Sequence, residues 1–101
     1  MTNSWQTATL LNNVQNHNGT TKYRKCGDVV ELNLTLKNIT TIGVVGFTLP
    51  EGYRPSEPQI IITGTGGTGK LLSTVMVDPS GDVKLYPNES QYTIGSVVFI
   101  I

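Results

Sequence analysis

The chain has 101 residues, a formal net charge of zero and 14% charged residues, well below the roughly 25% usual in soluble domains. That length holds one domain, 1–101, which can bury roughly 60 to 70% of its unfolded surface in a single modest core. A balance of this kind selects neither nucleic acid nor an acidic membrane surface as a partner, and no run approaches the roughly 18 apolar residues that would imply membrane insertion.

The surface must be solvated by Thr, Asn, Ser and Gly instead, a style that suits a protein exposed outside cells or one that meets sugars. The polar N-terminus lacks the features of a signal peptide. Trp5 to Leu11 reads as a short strand or an extended arm, and the Asn-rich segment from Asn12 to Thr21 as a loop. Lys22 to Lys25 leads into a turn at Cys26-Gly27-Asp28 and then into the clearest strand. There Val30, Leu32, Leu34 and Leu36 alternate with Glu31, Asn33, Thr35 and Lys37, so one face is core and the other is wet. Cys26, the single cysteine, cannot form an internal disulfide and is expected to be a small buried hydrophobe.

Thr40 to Leu49 is β-rich but interrupted by Gly43 and Gly46, which implies a bulge or a close backbone approach. Leu49-Pro50-Glu51-Gly52 suits a type I turn with Pro50 in second place. Arg54 precedes Pro55, whose ring keeps its neighbour extended. The run is a rigid corner, and Tyr53 and Arg54 are assigned to structure.

Ile60-Ile61-Ile62 and Val97 to Ile101 are apolar on both faces, and such strands need cover on two sides. Left bare, they would form a sizeable patch, so a copy of the same chain is expected to cover at least one of them. The alternative is that both lie centrally in one monomer. Leu71 to Val77 is a strand, Asp78-Pro79-Ser80-Gly81 a turn, Asp82 to Tyr86 the returning strand with Val83 and Leu85 inward, and Pro87 to Ser90 another turn. Six to eight strands at this spacing predict an all-β antiparallel barrel or sandwich.

Several motifs resemble sites but lack their context. Gly64 to Lys70 matches Gly-x-Gly-x-x-Gly, yet a dinucleotide site needs a helix directly after the glycines. The residues after Lys70 are β-branched and stop at Pro79, and Leu71 stands where a P-loop needs Ser or Thr. The four sequons, at Asn18, Asn33, Asn38 and Asn88, arise easily in a chain rich in Asn and Thr. One His and one Cys fall short of a metal site, and no cofactor is implied. Asp28, Asp78 and Asp82 stand beside Gly or Pro, where Asp commonly serves its own backbone rather than glycoside hydrolysis. An enzyme is not expected.

A saccharide site needs an aromatic plane with amide, carboxylate or guanidinium groups beside it. Trp5 is the best platform, Asn16, His17 and Asn18 form the polar loop nearest it in sequence, and Tyr23 with Arg24 is a second aromatic and basic pair. Each has a plainer reading: Trp5 as a core or interface plug, Arg24 as the partner of a surface acid.

Trp5, Leu10-Leu11-Asn12-Asn13, Lys22-Tyr23-Arg24-Lys25, the alternating strand from Asp28 to Lys37, Thr48 to Pro55 and Gly81-Asp82-Val83 occur in an order that resembles the C-terminal receptor-binding heads of tail fibres and baseplates in siphophages of Gram-positive bacteria, the lactococcal phages among them. The resemblance covers nearly the whole chain, and Leu49 to Pro55 is its most specific part. It implies a Greek-key or jelly-roll-like trimer at a tail tip, joined to the N-terminal remainder of a tail protein in the virion. The implied partner is a host cell-wall saccharide. A purely structural trimerisation or capping module and a polysaccharide-degrading enzyme are the rival functions.

Overall fold

A computed structural model describes residues 4–63, 73–87 and 92–101. Among these the chain forms nine strands and no helix: β1 (Gln6–Thr7), β2 (Gln15–Asn16), β3 (Lys22–Cys26), β4 (Val29–Lys37), β5 (Val44–Thr48), β6 (Gln59–Thr63), β7 (Ser73–Val77), β8 (Asp82–Tyr86) and β9 (Thr93–Ile100). All pairings are antiparallel. One sheet has five strands: β1 pairs β3, β3 and then β2 follow one edge of β4, and β9 follows the other. The second has four, in the order β5-β8-β7-β6.

The alternation in β4 organises the fold. Val30, Leu32, Leu34 and Leu36 are fully buried, while Glu31, Asn33, Thr35 and Lys37 point away from the core. Val75, Val77, Val83 and Leu85 rise from the other sheet to meet them, and Phe47, Leu49, Val97 and Phe99 fill the space between. Each such side chain contributes roughly 1.5–3 kcal/mol on leaving water. Expected and observed inward positions of β4 and β8 agree.

Thr93 lies in this interior opposite Leu36, and its hydroxyl has no hydrogen-bond partner among the described residues. An unpaired buried hydroxyl costs about 1–3 kcal/mol. Thr93→Val is therefore expected to raise stability by about 1 kcal/mol, seen as a later denaturant midpoint. Destabilisation would mean that the hydroxyl is satisfied in solution.

Glycine sets the corners. Gly27, at φ 61, opens a two-residue hairpin loop between Cys26 and Val29, the geometry in which glycine takes the first central position. Gly46 sits at the bulge between Val45 and Phe47, and a Cβ there would come within 2.6 Å of Leu85. Both features implied by the glycine-interrupted segment, bulge and close approach, are thus present. The turn of the corner is one residue later than the sequence implies. Tyr53 N–H donates to Pro50 O, and Gly52 has φ 90, which places glycine third, as a type II turn requires.

Three further expectations are corrected. Trp5 to Leu11 does hold a short strand, paired at Gln6–Thr7, but the segment whose composition implies a loop throughout contributes β2, because the end of β4 extends past β3 and offers it a free edge. Cys26 is exposed rather than buried, since the register places it opposite Val29 on the outer side of the sheet. Neither apolar strand is central: β6 and β9 are edge strands of their respective sheets. The glycine-rich motif at 64–70, the first two residues of the strand expected from Leu71, and the turn residues 88–90 lie outside the described residues.

Candidate functional site

The hairpin β3–β4 converts sequence spacing into geometry. Pairing about Gly27-Asp28 sets Arg24 opposite Glu31 and Lys22 opposite Asn33 on the outer face of the five-stranded sheet. Arg24 Nε and Nη2 each lie 2.8 Å from Glu31 Oε1. About a third of each side chain remains exposed, so the pair contributes little stability, but it fixes the guanidinium plane. Arg24 thus takes the acid partner of its plainer reading.

β1 brings Trp5 to the same place. Gln6 pairs Tyr23, so Trp5 stands beside Arg24, with the guanidinium carbon 4.3 Å and Lys22 Nζ 5.0 Å from its ring centroid. Such cation–π contacts orient the ring without burying it; Trp5 is half-buried and outside the core cluster. A shallow cavity of about 210 Å³ adjoins it, lined by Arg24, Cys26, Val29 and Glu31. The arrangement offers an aromatic plane, a cation and a carboxylate on one rigid surface.

His17 is not part of this cluster. Its backbone exchanges hydrogen bonds with Thr35, its N–H donating to the carbonyl and its carbonyl accepting from the hydroxyl. Its ring stacks on Tyr92 at 4.8 Å and 21°. Thr35 is four positions along β4 from Glu31, roughly 13 Å at strand rise. The His17–Tyr92 pair is therefore a second aromatic centre farther along β4.

The other three candidate residues have structural roles. Asn16 Oδ1 accepts from Thr21 N–H at 2.9 Å, and Asn18 occupies a left-handed turn position at φ 54. Tyr23 points inward, 6.5 Å from the Phe47 ring and edge-on to Tyr53 at 5.2 Å. Burial first, and the Tyr53 phenol second, hold its phenol above the ordinary 10.0. A folded-state value raised this way stabilises fully below the unfolded pKa of about 10 and is lost as pH rises through the folded one. Tyr23→Phe is expected to flatten the fall in denaturant midpoint above about pH 10; an unchanged fall would assign it to other groups.

Lys22, Glu31 and Tyr92 join the site although the sequence alone does not single them out. Glu31 was legible by counting back across the hairpin; Tyr92 was not, being 75 positions from His17. Among the described residues no group of three or more His, Cys, Asp or Glu could hold a metal ion, and no helix is long and apolar enough to cross a membrane. No family model, curated protein or solved structure matches this chain.

Proposed function

We propose that this chain is the receptor-binding head of a phage tail, adsorbing to a host cell-wall saccharide through the outer face of its five-stranded sheet. The observation that carries the reading is Trp5 held against Arg24 and Lys22, with Glu31 fixing Arg24. The indole covers the C–H face of a sugar ring, while guanidinium, ammonium and carboxylate meet its hydroxyls. His17 and Tyr92 extend the face for a second sugar unit.

The resemblance of the Leu49 to Pro55 corner and its flanking segments supports the assignment to a homotrimer at a virion tail tip, attached to the N-terminal remainder of a tail protein. The order β5-β8-β7-β6, in which β8 closes the β6-β7-β8 meander beside β5, supports a Greek-key reading of the four-stranded sheet. Several copies engaging one cell surface gain avidity, so a weak single site suffices.

The reading is of binding without bond cleavage. Glu31 is held by Arg24, Asp78 by Lys84 at 2.7 Å, and Asp82 accepts from Thr48 at 3.0 Å. Incubation of the purified chain with host wall polysaccharide tests this: saturable retention without new reducing ends is expected. Released reducing ends would make it a depolymerase, and no retention would leave the structural capping module, which the exposed isoleucines of the other sheet favour.

A further inference from the structure

The outer face of the five-stranded sheet changes character between two neighbouring rows of side chains. In one row Trp5, Arg24, Glu31 and Val98 follow one another across β1, β3, β4 and β9; in the next stand Cys26, Val29 and Ile100. The first row is mainly aromatic and charged, and the second is apolar. Val29, Val98 and Ile100 are 41%, 55% and 69% exposed, and same-face residues lie roughly 7 Å apart along a strand, so an apolar margin runs beside the ion pair. The cavity of about 210 Å³ lined by Arg24, Cys26, Val29 and Glu31 lies across that boundary. Arg24 belongs to both places, since its guanidinium carbon is also 4.3 Å from the Trp5 ring centroid.

The polar wall of this cavity is only half used. Glu31 Oε1 takes both Arg24 Nε and Nη2, each at 2.8 Å, while Glu31 Oε2 and Arg24 Nη1 make no hydrogen bond among the described residues. An acceptor and a donor therefore stand side by side, with Val29 and the Cys26 side chain next to them. Because the two charges cancel, a carboxylate on the ligand meets Glu31 and an ammonium meets Arg24, so neither is favoured. A neutral planar group with one N–H, one carbonyl and one methyl suits all of the walls, and that group is an acetamido. The volume far exceeds the roughly 10–15 Å³ that admits one water. On the outer face of the four-stranded sheet, a depression of about 290 Å³ lined by Ile60, Thr74, Met76 and Tyr86 has no charged group in its lining and lacks this combination.

We infer that this cavity is a subsite for the acetamido group of an N-acetylhexosamine whose ring lies at Trp5. The methyl packs against Val29 and Cys26, with Val98 at the margin. The amide N–H donates to Glu31 Oε2, and the amide carbonyl accepts from Arg24. Hydrogen bonds to charged partners are the stronger kind, whereas a plain hydroxyl in the same place leaves the apolar wall wet and one polar partner unmet. The inference rests on the proposed sugar face and narrows its ligand from saccharides in general to N-acetylated amino sugars. It makes Val29 a specificity-determining residue.

The test titrates the full chain with three matched β-linked trisaccharides: N-acetylchitotriose, its de-acetylated form, and cellotriose, which differ only in carrying acetamido, ammonium or hydroxyl at the same ring carbon. The acetylated form is expected to bind about tenfold more tightly than either of the others, the order that one buried methyl and one charge-assisted hydrogen bond supply. Val29→Ser is expected to bring the ratio of acetylated to cellotriose affinity toward one, and Ile60→Ser, on the other sheet, to leave it unchanged. Equal affinities for acetylated sugar and cellotriose would overturn the subsite while leaving the Trp5 face as a sugar site. A preference that survives Val29→Ser in a folded protein, or that falls with Ile60→Ser, would overturn it as well. Should none of the three bind although wall polysaccharide is retained, the inference falls alone; should the polysaccharide not be retained either, the sugar reading falls with it.

Discussion

Gly81→Ala is expected to lower stability by about 3–5 kcal/mol, from left-handed strain and overpacking together, a large part of the 5–15 kcal/mol that holds a domain. Gly81 has φ 92, and an added Cβ would meet the Leu49 carbonyl oxygen and Arg54, whose Nε would lie 2.7 Å away. Neither neighbour is free to give. Leu49 N–H donates to Gly81 O at 2.8 Å, and Arg54 Nε donates to Leu49 O at 2.9 Å. Two turns distant in sequence are thereby latched: the corner after β5 and the turn between β7 and β8. Arg54→Ala tests the same latch more gently, leaving Leu49 O without its side-chain donor. Denaturant unfolding that shows Gly81→Ala within about 1 kcal/mol of the parent would contradict the latch.

Trp5→Ala is expected to weaken saccharide binding by about 2 kcal/mol per site, roughly 30-fold, the scale of an aromatic anchor at the centre of an interface. In a multivalent assembly the loss in cell adsorption is larger. The fold is expected to survive, because Trp5 covers the outside of β3 and contributes nothing to the core cluster. Arg24→Ala should resemble it, as both the guanidinium and the support of the indole disappear. Glu31→Gln is expected to act less strongly, since the amide oxygen still accepts from Arg24. If Trp5→Ala keeps full affinity in a folded protein, the indole is a plug on the sheet surface and not a platform.

The parts of the fold legible in the sequence are those in which a local pattern decides the outcome. Alternation from Val30 to Lys37 is strong enough to orient β4, and Val83 with Leu85 orient β8. The glycines at 43 and 46 are legible as punctuation, though only the packed structure shows Leu85 against the second of them. The sequence places the turn of the corner one residue early because Pro50 fits two turn positions, and the positive φ at Gly52 selects between them. β1 and β2 owe their existence to edges offered by β3 and β4, a tertiary effect that residues of this kind do not announce.

The site is legible in half. Trp5 and Arg24 stand out separately in the sequence and meet through β1–β3 pairing. Tyr23 misleads because it lies between two basic residues, yet the register with Leu32 turns it inward. Lys25 shares that inward side, and escapes at the sheet's end by reaching Gly52 O at 2.7 Å. The apolar strands are legible as strands needing cover. That both occupy the same side of the molecule emerges only from the topology.

The central claim is that the outer face of the five-stranded sheet meets a sugar. A titration of the isotope-labelled chain with fragments of host wall polysaccharide, followed by amide and indole NMR shifts, tests it most directly. Saturable shifts are expected at the Trp5 indole and at Lys22, Arg24 and Glu31, extending toward His17 and Tyr92 for longer fragments. Shifts confined to the Ile60–Tyr86 face, or none up to millimolar fragment, would contradict it.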